Sequence, residues 1–256
     1  MVRREQLRAA LDGLYDRYNR RDRVHPDPVG FLYAYENPLD REIAGLVASC
    51  LAYGRVAQIH RSVADALSRL GRPASLLSGA TPDDLHRIFD GFRHRFCSGE
   101  DLVPLLWGVR GVLDEFGSLE RAYCAGGRGG LAAWVGRIER AAGAPLGHVL
   151  PSPAAGSACK RLNLFLRWMV RHDDVDPGGW ERVSPASLRV PLDVHMHRIG
   201  RRLGFTRRAQ ADHRTVEEVT QAFREVAPHD PVRYDFALAR SAMVGDPVLP
   251  ALLGGD

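Results

Sequence analysis

The sequence predicts an all-α protein, and three observations carry that expectation. Apolar residues recur at helical spacing in ten segments spread over the 256 residues. Alternating strand patterns are nearly absent. Proline and glycine fall where helices start and stop, as at Asn37-Pro38 and Gly71.

In order, "REQLRAALDGLYDRY" places Leu7, Leu11, Leu14, Tyr15 and Tyr18 on one stripe. "LDREIAGLVASCLAYG" reads as a buried helix opened by Asn37-Pro38, with proline at the first helical position. "VAQIHRSVADALSRLG" follows after a short break and stops at Gly71. Residues 83–89, 102–116 and 131–142 read as three further helices. Ala158 to Arg171 is strongly apolar and so central. Residues 194–203, 215–226 and 231–243 complete the set. Three long loops are expected, 71–82, 143–156 and 173–191. The last two flank the apolar 158–171 helix, which places that helix beside a cleft. There is no fixed-period repeat and no low-complexity linker.

Composition excludes several classes. An apolar fraction of 45% with 26% charged residues is ordinary globular usage. No apolar run has the length of a bilayer span, and "MVRREQLRAALDGLY" is too charged for a signal peptide, so a cytoplasmic protein is expected. Cys50, Cys97, Cys124 and Cys159 are scattered without metal-site spacing and read as free thiols. The formal net charge of +4 permits a polyanionic partner. Five arginines crowd one stretch, "HRIGRRLGFTRR": Arg198, Arg201, Arg202, Arg207 and Arg208. They form either a phosphate-binding face or a solvated helix face.

Lys160 is the only lysine; every other basic residue in the Lys+Arg total of 35 is arginine. Arginine matches lysine in charge but cannot release its proton and act as an amine. Lys160 opens the apolar 158–171 helix. The positive end of a helix, apolar neighbours such as Leu162 and Leu164, and adjacent Arg161 all favour a neutral amine, suited to Schiff-base chemistry. Thirty-three residues on, in "VPLDVHMHRIGRRLG", Asp193 falls at the N-cap of the next helix. A capping carboxylate stays ionised and could also stabilise developing positive charge. A lysine and an aspartate at two helix starts could equally be a surface amine and a plain cap.

At these residues the chain resembles a known family. "PLDVHMHRIGRRLG" is similar to the Pro-x-Asp-x-His segment of the helix-hairpin-helix DNA glycosylases, above all their 8-oxoguanine branch, in which a lysine opens a helix upstream of that aspartate. "NPLDREIAGLVASCLAYGRVAQI" resembles the family's Asn-Pro helix, whose end supplies residues inserted into the duplex. The gap from Lys160 to Asp193 is similar to that of the archaeal 8-oxoguanine glycosylases. "CKRLNLFLRWMVR", "PLD" and "DPVRYDFAL" also resemble an uncharacterised bacterial family of the same lineage. The chain departs from the pattern in its hairpin: where the family has a Gly-x-Gly turn, "LPSPAAGSACK" has Gly156 alone.

The resemblance implies a two-lobed helical fold, with one lobe at 37–171 and the other formed by 1–36 and 172–256, and an active cleft between them. It implies a bifunctional DNA glycosylase and abasic-site lyase acting on damaged DNA, most specifically on 8-oxoguanine, without metal or organic cofactor, in the cytoplasm and at the bacterial nucleoid. Lys160 would be the nucleophile and Asp193 its carboxylate partner. Tyr53, Arg55 and Gln58 would enter or contact the duplex. His195, Arg198, Arg201 and Arg202 would hold phosphates, and Phe165, Trp168, Tyr234 and Phe236 are the candidate rings for stacking on a flipped purine. Two alternatives stand beside it. "DVHMH" and "RHDD" (His172-Asp173) also occur in metal-dependent phosphohydrolases, although His195 and His197, two apart, leave a helix on different sides. The same fold could instead bind nucleic acid without catalysis.

Overall fold

The structure, a computed structural model, describes residues 2–127 and 130–247. Residue 1 and residues 248–256, the ends of the expected second lobe, lie outside the described residues. The described chain is mostly helical, as the sequence leads one to expect: α1 (Val2–Tyr18), α2 (Pro38–Cys50), α3 (Val56–Leu70), α4 (Pro73–Gly79), α5 (Pro82–Ile88), α6 (Gly99–Phe116), α7 (Leu119–Cys124), α8 (Gly130–Ala142), α9 (Lys160–Val170), α10 (Val194–Arg202), α11 (His213–Val226) and α12 (Asp235–Val244). One short antiparallel hairpin, β1 (Arg93–His94) and β2 (Cys97–Ser98), pairs Arg93 with Ser98 and His94 with Cys97. No helix among the described residues is long and apolar enough to cross a membrane.

The caps explain the boundaries. Asn37 Oδ1 accepts the amide of Leu39 at 2.9 Å, and Pro38 occupies the first helical position of α2. Thr81 with Asp84, and Ser98 with Asp101, form reciprocal capping boxes at α5 and α6. The helix α4 corrects the expected loop at 71–82: Pro73 starts it and Pro73 and Leu77 are buried, but no side chain caps it to mark the start.

The helix α2 is buried on nearly every side, consistent with its unbroken apolar composition, and packs against α9, α3, α4, α7 and the 3-10 turns over Pro28–Ala34. Those turns, anchored by Leu32 and Val29, thus lie on the helices of the first expected lobe although they precede residue 37. The helices α6 and α8 cross closely, because a Cβ on Gly108 would stand 2.5 Å from the Ile138 carbonyl oxygen and one on Gly111 2.8 Å from Ala141 Cβ. At the other end α1 packs on α11 and α12, and α10 on α12. Buried side chains from both ends join in a single hydrophobic cluster, with each large apolar side chain contributing about 1.5–3 kcal/mol of transfer free energy.

The 173–191 segment is not an open loop. Trp180 is buried, its amide donates to the Met169 carbonyl at 2.8 Å, and the Gly178 amide donates to the Trp168 carbonyl at 3.0 Å. The indole of Trp180 donates to Glu42 Oε2 at 3.0 Å, and Glu42 Oε1 accepts the Leu119 amide at 2.7 Å. One buried carboxyl thereby ties α2, α7 and this segment together. Burial pushes that carboxyl up to about 7, against the pull of the N–H donors from Leu119, Trp180 and Glu120.

Candidate active site

Lys160 is the first residue of α9, whose inner face (Leu162, Phe165, Leu166, Trp168, Met169) is buried. It follows Cys159, which holds a left-handed conformation (φ 47°, ψ 37°). The chain before it, where the resemblance expects the first half of a helical hairpin, makes a 3-10 turn over Pro153–Ala155 ended by left-handed Gly156. The Cys159 amide donates to Ser157 Oγ at 3.1 Å and its thiol to the Pro151 carbonyl at 3.3 Å. Two left-handed residues in quick succession thus turn the chain into α9 and fix where the lysine starts.

Asp193 is the N-cap of α10. Its Oδ1 accepts the amides of His195 at 2.9 Å and Met196 at 2.8 Å. Its Oδ2 lies 3.9 Å from Lys160 Nζ. The two oxygens divide the work: one satisfies the helix, the other meets the amine. Both side chains are 35% exposed, so the pair is reachable from solvent. The segment ahead of Asp193 is held by the Val190 amide donating to Thr220 Oγ1 at 3.1 Å and by buried Leu192.

Beneath this pair runs a buried charge network that sequence reading did not find. Arg167, two turns along α9 from Lys160, donates from Nε to Asp176 Oδ1 at 3.1 Å and from its guanidinium to Asp235. Arg171 pairs with Asp173 at 2.8 Å, with Asp230 at 2.9 Å and with Asp176. Burial opposes both guanidinium charges, but Asp176 and the other carboxylates outweigh it and hold both well above the ordinary arginine range. Asp235 opens α12 and is buried; burial pushes its carboxyl up to about 6, Arg167 opposes, and the Asp193 charge pushes it further up while Lys160 pulls it down. Asp235 therefore feels the lysine–aspartate pair. The sequence reading named the rings on either side of it, Tyr234 and Phe236, and passed over the carboxyl between them; an acidic residue inside an otherwise apolar helix start was the available signal.

The four rings offered as a base pocket are core residues. Phe165 stacks on Trp134 (5.6 Å, 14°) and stands perpendicular to Trp180 at 5.3 Å. Trp168 is fully buried. Tyr234 is buried and donates to Asp12 at 2.8 Å, and Phe236 lies under Arg167 and Arg240. With no face open, none is available to stack on a base in this conformation; their helical spacing recorded packing.

Tyr53 sits half-buried in the turn after α2, and Arg55 is the exposed N-cap of α3 with Gln58 half-buried behind it. The Tyr53 hydroxyl donates to the His94 carbonyl at 3.1 Å, and the guanidinium of Arg161, the residue after Lys160, lies 5.0 Å from its ring. Arg161 also donates to the carbonyls of Cys50 and His148. The turn is therefore fastened to the start of α9. His195, Arg198, Arg201 and Arg202 are exposed on α10, whose buried face is Met196, Ile199 and Gly200. Arg208 is spoken for, donating to Thr215 Oγ1 at 2.9 Å and pairing with Asp212.

The "RHDD" and "DVHMH" segments do not assemble a metal centre. Asp173 takes the Tyr15 hydroxyl at 3.0 Å and the Val175 and Asp176 amides at 2.8 Å, and His172 bonds the Pro177 carbonyl. His197 bonds the Arg208 carbonyl at 2.9 Å while His195 faces solvent. Among the described residues the one cluster of three possible metal donors is Cys97, Asp101 and His148, at the β-hairpin. There Asp101 Oδ2 already accepts the Ser98 amide at 2.7 Å and the Ser98 hydroxyl at 2.8 Å at the start of α6, and burial pushes the Cys97 thiol up to about 12. Two surface hollows, one lined by Arg8, Asp12, His229 and Arg233 and one by Tyr15, Asn19, Asp173 and Asp174, lie apart from the lysine.

Residues 27–244 match the model of a family described as a protein of unknown function (DUF2400). The chain belongs to that family. The matched span takes in Tyr53, Lys160, Asp193 and Asp235, so the whole candidate site of this DUF2400 protein falls inside the family's shared region. Comparison with curated proteins and with solved structures returned no match.

Proposed function

We propose that this protein is a bifunctional DNA glycosylase and abasic-site lyase of the helix-hairpin-helix type, with its two lobes meeting at the Lys160–Asp193 pair and 8-oxoguanine as its first candidate lesion. The observation that carries the reading is the 3.9 Å approach of the only lysine to the outward oxygen of a helix-capping aspartate, from positions far apart in sequence. In the reaction, Lys160 gives a proton to Asp193 and its nitrogen lone pair bonds C1′ of the deoxyribose. The glycosidic bond breaks and its electrons leave with the base. Asp193 passes the proton it took to the departing base; the attached nitrogen then loses a proton, its lone pair breaks the C1′–O4′ bond, O4′ takes that proton, and the protonated imine results. The freed Asp193 carboxylate or water takes a C2′ proton, the 3′ phosphate leaves by β-elimination, and water adds to the imine to release the enzyme. Asp193, fixed by two amides, stabilises the positive sugar and supplies no covalent bond. The exposed arginines of α10 hold flanking phosphates, with salt-sensitive and sequence-independent affinity.

Borohydride trapping on oligonucleotides that each carry one damaged base tests this directly. Wild type forms a covalent adduct and nicks the lesion strand; Lys160→Gln and Lys160→Arg form none, although Lys160→Arg still binds. Binding without an adduct by wild type across a broad lesion panel would establish the non-catalytic module instead.

A further inference from the structure

The hairpin between α5 and α6 carries an arrangement that neither the helical core nor the lysine–aspartate chemistry needs. Its tip is Arg95–Phe96. Phe96 is 65% exposed, the only aromatic ring among the large exposed apolar side chains of the described residues. Its ring lies parallel to Tyr53 (5.3 Å, 16°), forming a two-ring stack, and His148 stands edge-on to it at 6.3 Å. Arg95 holds φ 57°, the left-handed region that costs a side-chain-bearing residue about 1 kcal/mol. Its guanidinium sits 5.1 Å from Phe96 and 5.9 Å from Tyr53. The side chain crosses Gly54, where a Cβ would stand 2.9 Å from it, so glycine at that position (φ 102°) makes the room.

The tip is rigidly mounted. Buried His94 bridges Ser62 Oγ at 2.9 Å and the Tyr53 carbonyl at 3.0 Å, and burial holds its imidazole below the usual histidine range. Arg161, the residue after Lys160, lies 5.0 Å from the Tyr53 ring and so ties the stack to the start of α9. Exposed Val56 follows Arg55 at the same turn, and Arg55 and Arg93 are exposed beside it. A mostly exposed aromatic ring under a left-handed arginine, with exposed Arg93 on the same hairpin and exposed Arg55 in the turn after Tyr53, fits a flat, π-faced group on a polyanionic strand.

We infer that the Phe96–Tyr53 stack is a platform for an unpaired nucleobase, with Phe96 the ring in contact and Arg95 and Arg55 holding the phosphates on either side. The inference rests on the proposed DNA substrate for its partner but not on the lysine chemistry. The experiment measures binding of the whole protein, in a Lys160→Gln background, to duplex DNA carrying a stable abasic analogue opposite 2-aminopurine. Expected are a change in 2-aminopurine fluorescence on binding, and about a tenfold loss of affinity in Phe96→Ala with that change abolished. Phe96→Trp should retain both, and Phe96→Leu, which keeps apolar area without a π face, should behave as alanine does. Unchanged affinity and signal in Phe96→Ala overturns the inference, as does full retention by Phe96→Leu. If wild type nicks no lesion yet the Phe96 series behaves as stated, the platform stands and the glycosylase reading fails. If wild type nicks and the series is flat, the reverse holds. Phe96 is mostly exposed, so a thermal melt unchanged in Phe96→Ala verifies that folding is not the cause.

Discussion

Replacing Asp193 by asparagine separates its two roles. Asparagine caps helices about as well as aspartate, and its side-chain oxygen can keep the His195 and Met196 amides at 2.9 and 2.8 Å. The atom facing Lys160 becomes an NH2 group, a donor where an acceptor stood. The ion pair lost is one-third exposed on both sides, so its contribution to stability is below about 1 kcal/mol. Asp193→Asn should therefore melt within about 2–4 °C of wild type, the shift that ~1 kcal/mol produces in a chain of this size. Asp193→Ala also loses the cap, about 1 kcal/mol more. The proposed chemistry has the opposite order of sensitivity: with Asp193 as the group that takes the amine's proton and stabilises the sugar cation, its loss should slow single-turnover base excision by about 10²–10⁴-fold in both variants. Urea titrations and single-turnover kinetics on the same preparations read the two effects. An asparagine variant within threefold of wild-type rate refutes a chemical role for the outward oxygen. An asparagine variant as unstable as alanine refutes the assignment of Oδ1 as the cap.

Three further outcomes follow from the geometry. The double variant Arg198→Ala/Arg201→Ala should lower the salt slope of DNA binding by about two while leaving lesion preference alone; binding titrations from 50 to 300 mM salt would read it. Gly108→Ala gains about 1 kcal/mol of helix propensity but drives a methyl into the Ile138 carbonyl, so a net loss of about 1–3 kcal/mol in urea unfolding is expected, and a stabilised variant would contradict the close α6–α8 crossing. Glu42 keeps its proton to about 7 in the folded state against 4.5 unfolded, so its contribution to stability is complete below pH 4.5 and is lost as pH rises to about 7. That loss is on the order of 3 kcal/mol; the change in unfolding free energy between pH 4.5 and 7.5 should be correspondingly smaller in Glu42→Gln, and equal pH profiles would refute the buried, protonated carboxyl.

The helices were legible because most bury one stripe, and periodicity reports a stripe directly: the Asn37-Pro38 start lies where the pattern puts it, and α9 starts at Lys160, two residues after the expected Ala158. The helix α4 and the β-hairpin were not: α4 has no capping side chain at its start, unlike the equally short α5 with its Thr81–Asp84 box, and two-residue strands show no period. The proximity of Lys160 to Asp193 was inferred from resemblance, because a contact across 33 residues leaves no local trace. Ring residues misled for the opposite reason. Phe165, Trp168, Tyr234 and Phe236 have the spacing of a core face, and a pocket wall looks the same until burial is known. Asp235 and the Arg167–Asp176–Arg171 network were hidden because a buried ion pair is written in the same letters as a solvated one.

Trp180, lodged against the Met169 carbonyl and the Glu42 carboxyl, also decides which parts of the molecule are free to give way. With Gly178 and Trp180 bonded to the end of α9 and Val190 bonded to Thr220 of α11, the segment that leads from the lysine helix to the aspartate is fastened at both ends. On the proposed DNA substrate, accommodation would come from the strand, bent and opened to reach the pair, and its stiffness would become part of what the protein selects.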